Sequence, residues 1–322
     1  MNRKPVLEIK DLRVETTGRE PLTILHGINI RVYEGETVAL VGESGSGKSM
    51  TALSILRLLP EDSVRIHSGE IWFEGRDLLT LSEREMNDIR GRRISMIFQE
   101  PMTALNPTYT IGRQLAEVLA MHTDLSAKQI RERCTELLTQ VRIPDPKEKL
   151  DVYPHQLSGG MRQRVMIAMA LACNPKILIA DEPTTALDVT IQAQILELLV
   201  DLQAKYGMTI ILITHDLGVV AETCQRAVVM YAGQIVEESA VDELFASPKH
   251  PYTYGLLRSI PKIGESKKRL YTIPGVVPDL RHMPQGCRFH PRCEKMSEKC
   301  QMEEPPSAAF GHERRVKCWH PY

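Results

Sequence analysis

The sequence predicts an α/β fold, in which helices cover a mainly parallel sheet, followed by a small irregular region. From Lys48 onward, short apolar segments alternate with segments of helical periodicity. The segments ILIAD (177–181) and TIILIT (209–214) read as strands, and helical patterns surround them. Beyond residue 250 this periodicity fades and prolines become frequent, which places a boundary near residue 260.

The individual elements follow from local patterns. Segments 6–14 and 27–41 are rich in β-branched residues between turn-forming glycines, so they are expected to be strands, and residues 111–141 are expected to be helical. Shorter strands are predicted at 69–73, 93–98, 227–231 and 234–238, and further helices at 159–173, 190–204 and near 216–224.

Composition excludes several classes of function. The 322 residues contain 40 Lys and Arg against 41 Asp and Glu, so no bulk positive charge favours binding to nucleic acid. No apolar run approaches the ~20 residues that a membrane helix needs. The first residues, MNRKPVLEIKDL, lack the apolar core of a signal peptide, so we expect the chain to stay in the cytosol.

The segment VALVGESGSGKSMTAL (38–53) matches the pattern of a phosphate-binding loop between a strand and a helix. Its glycines allow the tight turn that points backbone N–H groups inward, and the helix adds its positive end. Lys48 would reach the β- and γ-phosphates, and the Ser49 hydroxyl would help hold Mg²⁺. The alternative is a glycine-rich turn without a ligand. The predicted nucleotide-binding residues are Gly42, Ser44, Gly45, Ser46, Gly47, Lys48, Ser49 and Met50.

Two acidic residues supply what such a loop still needs, a carboxylate for the metal and a group that orients water. The strand ILIAD ends in Asp181, a predicted Mg²⁺ ligand, and Glu182 follows as the predicted catalytic residue. His215 ends TIILITH, and ligands collect at the carboxyl ends of parallel strands, so His215 could contact the γ-phosphate. The alternatives are an acidic strand end facing solvent and a structural histidine.

A second possible anion receptor occurs in LSGGMRQRVMIAMALAC (157–173). Ser158 can cap the helix that follows, and with the amides of Gly159 and Gly160 it forms a phosphate-sized turn. The alternative is a capped helix without a ligand. One nucleotide does not obviously satisfy both receptors within a monomer.

These motifs occur in a particular order along the chain. VGESGSGKS, Gln99 in IFQEP, LSGGM, LIADEP, ALD (186–188) and His215 resemble, in that order, the motifs of ATP-binding cassette (ABC) ATPases. The resemblance covers roughly residues 6–260. It implies a P-loop NTPase fold with a RecA-like core, an antiparallel β subdomain and a helical subdomain at about 100–165. The predicted domains are therefore a cassette, 1–260, and a C-terminal extension, 261–322.

The resemblance also implies roles for individual residues. Gln99 would sense Mg²⁺ and water as a metal-binding and catalytic residue, Glu182 would polarise the water, and His215 would stabilise the γ-phosphate. The Ser158 turn of one cassette would close on the ATP held by another, with Asp188 coupling the two sites. No aromatic residue for adenine stands at Val14 to Thr17, where that family usually has one.

Longer segments of the sequence indicate a particular group within the ABC ATPases. MIFQEPMTALNPTYTIG, EPTTALDVTIQAQI and KHPYTYGLL resemble the ATPase subunits of bacterial oligopeptide and dipeptide importers, especially the dipeptide-type D subunit. This implies an energy-coupling ATPase at the cytoplasmic face of the inner membrane. The implied partners are two permeases, a similar but not identical cassette and an extracytoplasmic solute-binding protein. An importer of other cargo, such as nickel or glutathione, and a soluble cassette ATPase are the alternatives.

A cysteine cluster near the end of the chain is unusual for a cytosolic protein. Its spacing matches neither ordinary zinc ribbons nor bacterial ferredoxins, but four thiolates are a full ligand set for a [4Fe–4S] cluster or for Zn²⁺. Basic residues around them would favour thiolates. Resemblance to the importers favours iron–sulfur, and the alternatives are a solvated basic tail and a disulfide framework. The predicted ligands are Cys287, Cys293, Cys300 and Cys318.

Overall fold

The computed structural model describes residues 4–99, 104–185, 187–260, 271–311 and 313–322. It divides into two compact units, the first formed by Met1–Leu79 with Thr214–Tyr322 and the second by Thr80–Ile213. The predicted boundary near residue 260 falls beside 261–270, outside the described residues. In the described part of the chain, no helix combines the length and the apolar character that crossing a membrane requires.

Strands and helices follow one another along the described residues. The strands are β1 (Pro5–Thr16), β2 (Thr23–Tyr33), β3 (Thr37–Val41), β4 (Val64–Phe73), β5 (Arg76–Asp77), β6 (Ile94–Ile97), β7 (Ile177–Asp181), β8 (Thr209–Thr214), β9 (Arg226–Tyr231), β10 (Gln234–Ala240), β11 (Ser307–Phe310) and β12 (Arg314–Lys317). The helices are α1 (Lys48–Ile55), α2 (Glu83–Ile89), α3 (Ile111–His122), α4 (Ala127–Gln140), α5 (Pro146–Lys149), α6 (Gly159–Leu171), α7 (Val189–Tyr206), α8 (Leu217–Thr223), α9 (Val241–Ala246), α10 (Pro251–Arg258) and α11 (Glu298–Met302).

The first unit contains an antiparallel sheet with the strand order β2-β1-β4-β5. In β1, the apolar residues Leu7, Ile9, Leu12 and Val14 are each at most 2% exposed, because they face the core of this unit. The register shifts between Ile9 and Leu12, and Asp11 between them has a positive φ of 43°. A bulge therefore keeps both apolar pairs of β1 on the buried face.

Other strands of the first unit run in the order β11-β12-β10-β9-β3. Strand β3 is parallel to β9, with Val38 opposite Arg226, and every residue of β3 is buried. Strands β9 and β10 form an antiparallel hairpin, and β12 pairs with β10 through Glu237 and Glu238. The last residues of the chain therefore belong to the same sheet as the strand that precedes the phosphate loop.

The second unit contains parallel strands in the order β8-β7-β6. Ile177 of β7 lies opposite Ile94 of β6 and opposite Thr209 of β8, and all five residues of β7 are buried. This explains why ILIAD is apolar almost throughout, since a parallel strand is usually covered on both faces. The predicted strands at 177–181 and 209–214 are confirmed.

The predicted continuous helix at 111–141 is wrong. Helix α3 ends at His122, Thr123 is extended, and α4 begins after Ser126. Ser126 accepts from the backbone N–H of Gln129, whose side chain accepts in turn from the backbone N–H of Ser126. This reciprocal cap satisfies donors that are left without partners where a helix begins, and the pattern SAKQ is its signal in the sequence.

Candidate functional site

The phosphate loop lies between β3 and α1 in the first unit, and its backbone requires glycine. Gly42 has a φ of 152° and Gly47 a φ of 101°. A Cβ atom on Gly42 would lie 2.2 Å from the carbonyl oxygen of Met230, and one on Gly47 would lie 2.5 Å from Leu25 Cδ2. The loop can therefore keep this path only without side chains at these two positions.

Two polar side chains of the loop are arranged to meet an anion. Lys48 is only 6% exposed, and its Nζ donates to the carbonyl oxygens of Gly42 at 2.8 Å and Glu43 at 3.0 Å. The hydroxyl of Ser46 is buried and has no hydrogen-bond partner among the described residues. A buried hydroxyl without a partner costs free energy, and a phosphate oxygen would satisfy it. The loop therefore fits a nucleotide phosphate.

His215 lies close to this loop. It directly follows β8, and Asp216, the next residue, caps α8 by accepting from the backbone N–H groups of Gly218 and Val219. His215 lines a cavity of about 390 Å³ together with Gly42 and Glu43. The structure therefore brings this predicted residue to the phosphate loop, although more than 160 residues separate them in sequence.

The second unit brings Gln99 and Glu182 together. Glu182 Oε2 accepts from Gln99 Nε2 at 3.1 Å and from Thr185 Oγ1 at 2.9 Å. Glu182 has a φ of 46°, the left-handed region, and its N–H donates to the carbonyl oxygen of Ile213. Its predecessor Asp181 is buried at the end of β7. Thr185 was not predicted, although it stands three residues after Glu182 in DEPTT.

The Ser-Gly-Gly turn is also in the second unit. Ser158 Oγ accepts from the N–H of Met161 at 3.3 Å and caps α6, as predicted. A Cβ atom on Gly160 would lie 2.8 Å from Ile191 Cγ2, so this turn packs tightly against the start of α7. Asp188 caps α7 by accepting from the N–H of Ile191 at 3.0 Å. The turn and Asp188 are therefore neighbours through a shared contact with Ile191.

The phosphate loop has contacts that the sequence motifs did not predict. Glu43, its second residue, accepts from both amino groups of the Arg292 guanidinium at 2.6 and 3.0 Å. The N–H of Glu43 donates to Tyr252 Oη at 2.9 Å. The segment HPYT (250–253) was the only signal for Tyr252, and no local pattern in the sequence indicates Arg292.

The sequence of this chain matches known protein families and individual relatives. The family model described as ABC transporter matches residues 25–185, and the model described as oligopeptide/dipeptide transporter, C-terminal region, matches residues 236–300. The chain is 51% identical over 317 residues to the dipeptide transport ATP-binding protein DppD of Haemophilus influenzae, covering 98% of this chain and 96% of that protein. This chain is an ABC transporter ATP-binding protein. It belongs to the oligopeptide/dipeptide group of that family.

A further relative and a solved structure are also ATP-binding cassette proteins. A probable peptide ABC transporter ATP-binding protein of Sinorhizobium fredii, y4tR, is 53% identical over 316 residues, covering 98% of this chain and 94% of that protein. The solved dimeric ATP-binding cassette MJ0796, in a post-hydrolysis state with ADP and Pi, superposes with a TM-score of 0.65 at 31% identity. The superposition covers 73% of this chain and 98% of the MJ0796 chain. The ABC ATPase cassette fold, with mixed sheets and helices, is therefore confirmed.

The predicted metal site of this ABC protein is wrong. Within the described ranges, no group of three or more His, Cys, Asp or Glu side chains is arranged to hold a metal ion. This removes both the [4Fe–4S] cluster and the Zn²⁺ alternative. The predicted ligands that this finding concerns are Cys287, Cys293, Cys300 and Cys318, and none of them forms a disulfide.

The expectation that these cysteines are thiolates is wrong as well. Burial raises the pKa of the Cys287 thiol, raises that of Cys293 to about 11 and raises that of Cys318 to about 12. These buried thiols therefore stay protonated at neutral pH, contrary to the expectation that their basic neighbours would favour thiolates. Cys300 is buried, with its Sγ 3.5 Å from Ser297 Oγ.

Most of the basic side chains that were expected to favour thiolates have other partners. Arg288 donates to the carbonyl oxygen of Ala232, and Lys317 pairs with Glu304. Lys299 lies over the ring of Trp319. The remaining pairs are Arg292 with Glu43, Arg314 with Glu237 and Lys295 with the ring of Tyr322. Positive charge near the cysteines is therefore engaged in packing contacts of the first unit.

Proposed function

We propose that this chain is the energy-coupling ATPase subunit of a bacterial ABC importer for dipeptides or oligopeptides. The observation that carries the proposal is the joint presence of a complete phosphate loop and a match, over residues 236–300, to the C-terminal region of oligopeptide/dipeptide transporters. The names of the relatives, DppD among them, support the peptide cargo. The cassette would comprise residues 1–260 and the appendage residues 261–322.

The chemistry would be attack of water on the γ-phosphorus of ATP. Glu182 would orient this water and take its proton as the new P–O bond forms and the bond to the β,γ-bridging oxygen breaks, releasing ADP. His215 would donate to the γ-phosphate. When bound, Mg²⁺ would neutralise phosphate charge, held by Ser49, Gln99 and Asp181. The hydrogen bond from Gln99 to Glu182 supports this assignment, since it joins the metal-sensing side chain to the base.

A second cassette would complete the site. The turn formed by Ser158, Gly159 and Gly160 would close on the ATP of a homologous partner subunit, forming a heterodimer. Asp188 would couple the two sites, which its shared contact with Ile191 supports. ATP binding would close the pair and hydrolysis would open it, and this cycle would move the permeases between conformations.

An apolar groove in the second unit supports contact with a permease. It encloses about 570 Å³ and is lined in part by Phe98, Met121, Met166 and Met169. The exposed fractions are 43% for Phe98 and 71% for Met121, which is unusual for large apolar side chains. We assign this groove to a cytoplasmic helix of the permease, so the chain would sit peripherally at the inner membrane. Flexible methionines suit a surface that receives another helix.

The test is reconstitution of the chain with its two permeases, partner cassette and binding protein in vesicles. ATP hydrolysis should rise when dipeptides or oligopeptides are added with the binding protein, and Met121→Glu should reduce both copurification of the permeases and this stimulation. Met302→Glu, at a side chain that is 67% exposed in the other unit, is the matched control. Stimulation by nickel or glutathione and not by peptides would refute the peptide cargo.

A further inference from the structure

Glu43 is the one acidic residue in the loop GESGSGKS, and it stands where the proposed function puts a polyanion. Its carboxylate would repel the phosphates of ATP unless another group neutralised it. In the structure each polar group of Glu43 has a partner. The carbonyl oxygen accepts from Lys48 Nζ, the N–H donates to Tyr252 Oη, and the carboxylate accepts from Arg292.

Arg292 is held for this contact from several sides. The guanidinium meets both carboxylate oxygens of Glu43, which is the geometry in which Arg binds carboxylates most strongly. Its Nε donates to the carbonyl oxygen of Pro274 at 2.9 Å, and one amino group lies 3.4 Å from Tyr231 Oη. Arg292 is 6% exposed, and its hydrogen bonds to Glu43 raise its pKa, so it stays charged.

An aromatic cluster fixes Arg292 and the loop relative to each other. It consists of Tyr231 at the end of β9, Tyr252 in α10 and Phe289, next to the 3₁₀ turn His290–Arg292. Ring centroids are 4.7 Å apart for Tyr231 and Tyr252, and 5.3 Å apart for Tyr252 and Phe289. The Arg292 guanidinium lies 5.7 Å from the Tyr231 ring centroid. All these groups belong to the first unit and are buried.

We propose that Arg292 is a positioning residue for the phosphate loop: it neutralises Glu43 and holds it away from the bound polyphosphate. The proposal rests on the proposed function, because it requires the loop to bind ATP. It gives the cysteine-rich stretch GCRFHPRCEKMSEKC (286–300) a task that needs no metal. The stretch supplies an arginine that makes an acidic phosphate loop compatible with an anionic substrate.

The charge of Glu43 determines how removal of Arg292 should change the affinity for MgATP. The Glu43 side chain is 31% exposed, so without Arg292 its carboxylate would be partly solvated and would lose its bidentate partner. A negative charge within about 10 Å of several phosphate charges should weaken MgATP binding about tenfold. Since the proposal places Glu43 away from the reacting atoms, KM should rise while kcat changes little. Added salt should reduce the effect, because it screens partly exposed charges.

The experiment compares four proteins, the wild type, Arg292→Gln, Glu43→Gln and the double variant, by KM and kcat for MgATP and by nucleotide binding without turnover. Arg292→Gln should raise KM and the dissociation constant about tenfold. The double variant should return both to within about twofold of wild type, because it has lost the negative charge as well. KM is independent of the folded fraction, so partial unfolding of a variant would not imitate this result.

Matched controls separate charge from shape. Arg292→Lys keeps the charge but not the two parallel hydrogen bonds, so its KM should lie between those of the wild type and Arg292→Gln. Arg288→Gln removes an arginine of the same stretch that contacts the carbonyl oxygen of Ala232 and not the loop, and it should leave KM unchanged. A double variant as impaired as Arg292→Gln, or an unchanged KM in Arg292→Gln, would overturn the proposal.

If the proposed ATPase function is wrong, the same measurements give a different result from the one expected if only the role of Arg292 is wrong. If the wild type neither binds nor hydrolyses MgATP, and Lys48→Ala changes nothing, the loop is not an ATP site and the proposed function itself fails. If the wild type binds MgATP, Lys48→Ala abolishes binding and Arg292→Gln binds as the wild type does, only the role of Arg292 is refuted.

Discussion

Gln99 Nε2 donates a hydrogen bond of 3.1 Å to Glu182 Oε2, although the two residues lie 83 positions apart. Thr185 Oγ1 donates to the same oxygen at 2.9 Å. These two donors orient the carboxylate. Glu182 also holds a left-handed backbone conformation, with φ of 46°, that non-glycine residues adopt rarely and mostly where the surroundings enforce it. Such a carboxylate is held in one orientation, which the proposed role of ordering the attacking water requires.

Replacement of Glu182 by Gln should stop turnover without preventing ATP binding. The amide keeps the size of the side chain but cannot take a proton from water, so kcat should fall by about 100-fold or more. ATP hydrolysis and equilibrium nucleotide binding are the two measurements. Thr185→Val is the control, since it removes one hydrogen bond and leaves the base, so kcat should fall only a few-fold. Full hydrolysis by Glu182→Gln would refute its assignment.

Glu237 is a fully buried carboxylate in β10. It accepts from the N–H of Lys249 at 2.9 Å and of His250 at 2.8 Å, and it pairs with Arg314. Glu237→Gln would leave the Arg314 charge buried without a counter-ion, so unfolding free energy should fall by about 3 kcal/mol. Thermal denaturation measures this loss. Glu222→Gln, an exposed glutamate in α8, should leave the melting temperature unchanged, and equal effects of both variants would contradict the assignment.

His250 should make the stability of the protein depend on pH. Its Nδ1 accepts from the N–H of Tyr252 and caps α10, and burial lowers the pKa of its imidazole from 6.5 to about 3. Between those values the unfolded chain binds the proton and the folded chain does not, so stability falls as the pH decreases below about 6.5. His26, with a pKa lowered to about 4 by burial, adds an effect of the same sign.

Thermal unfolding followed from pH 7.5 to pH 5 tests this prediction. Asn can also cap a helix but does not titrate, so His250→Asn should flatten the fall in melting temperature below pH 6.5. His155→Asn, at an exposed histidine, should leave the fall as in the wild type. A fall in His250→Asn as steep as that in the wild type would show that His250 is not the group that titrates.

Local chemistry explains why much of the nucleotide site could be predicted from sequence. A phosphate loop needs glycines at particular positions, and the clash of a Cβ atom on Gly42 with the Met230 carbonyl shows why. The caps formed by Ser158 and Asp188 likewise depend on residues within three positions. The end of α3 was missed although it has a comparable local signal, the capping box of Ser126.

The remaining features depend on partners that are distant in sequence. Arg292 lies 249 positions from Glu43, so no local pattern shows that its charge serves the phosphate loop and not the cysteines beside it. The cysteine cluster was misjudged for the same reason. Its spacing and its basic neighbours were visible in the sequence, but the partners of those charges and the burial of the thiols follow from tertiary packing.

The hairpin of β11 and β12 has a consequence for self-association. Without it, β10 would be the border of its sheet, and a seven-residue strand with unpaired N–H and C=O groups can recruit a strand from another molecule. The border is instead β11, which is four residues long, exposed at every position and preceded by Pro305 and Pro306. A short strand that follows prolines is a poor pairing partner for a strand of another molecule. The β11–β12 hairpin therefore protects the protein against aggregation.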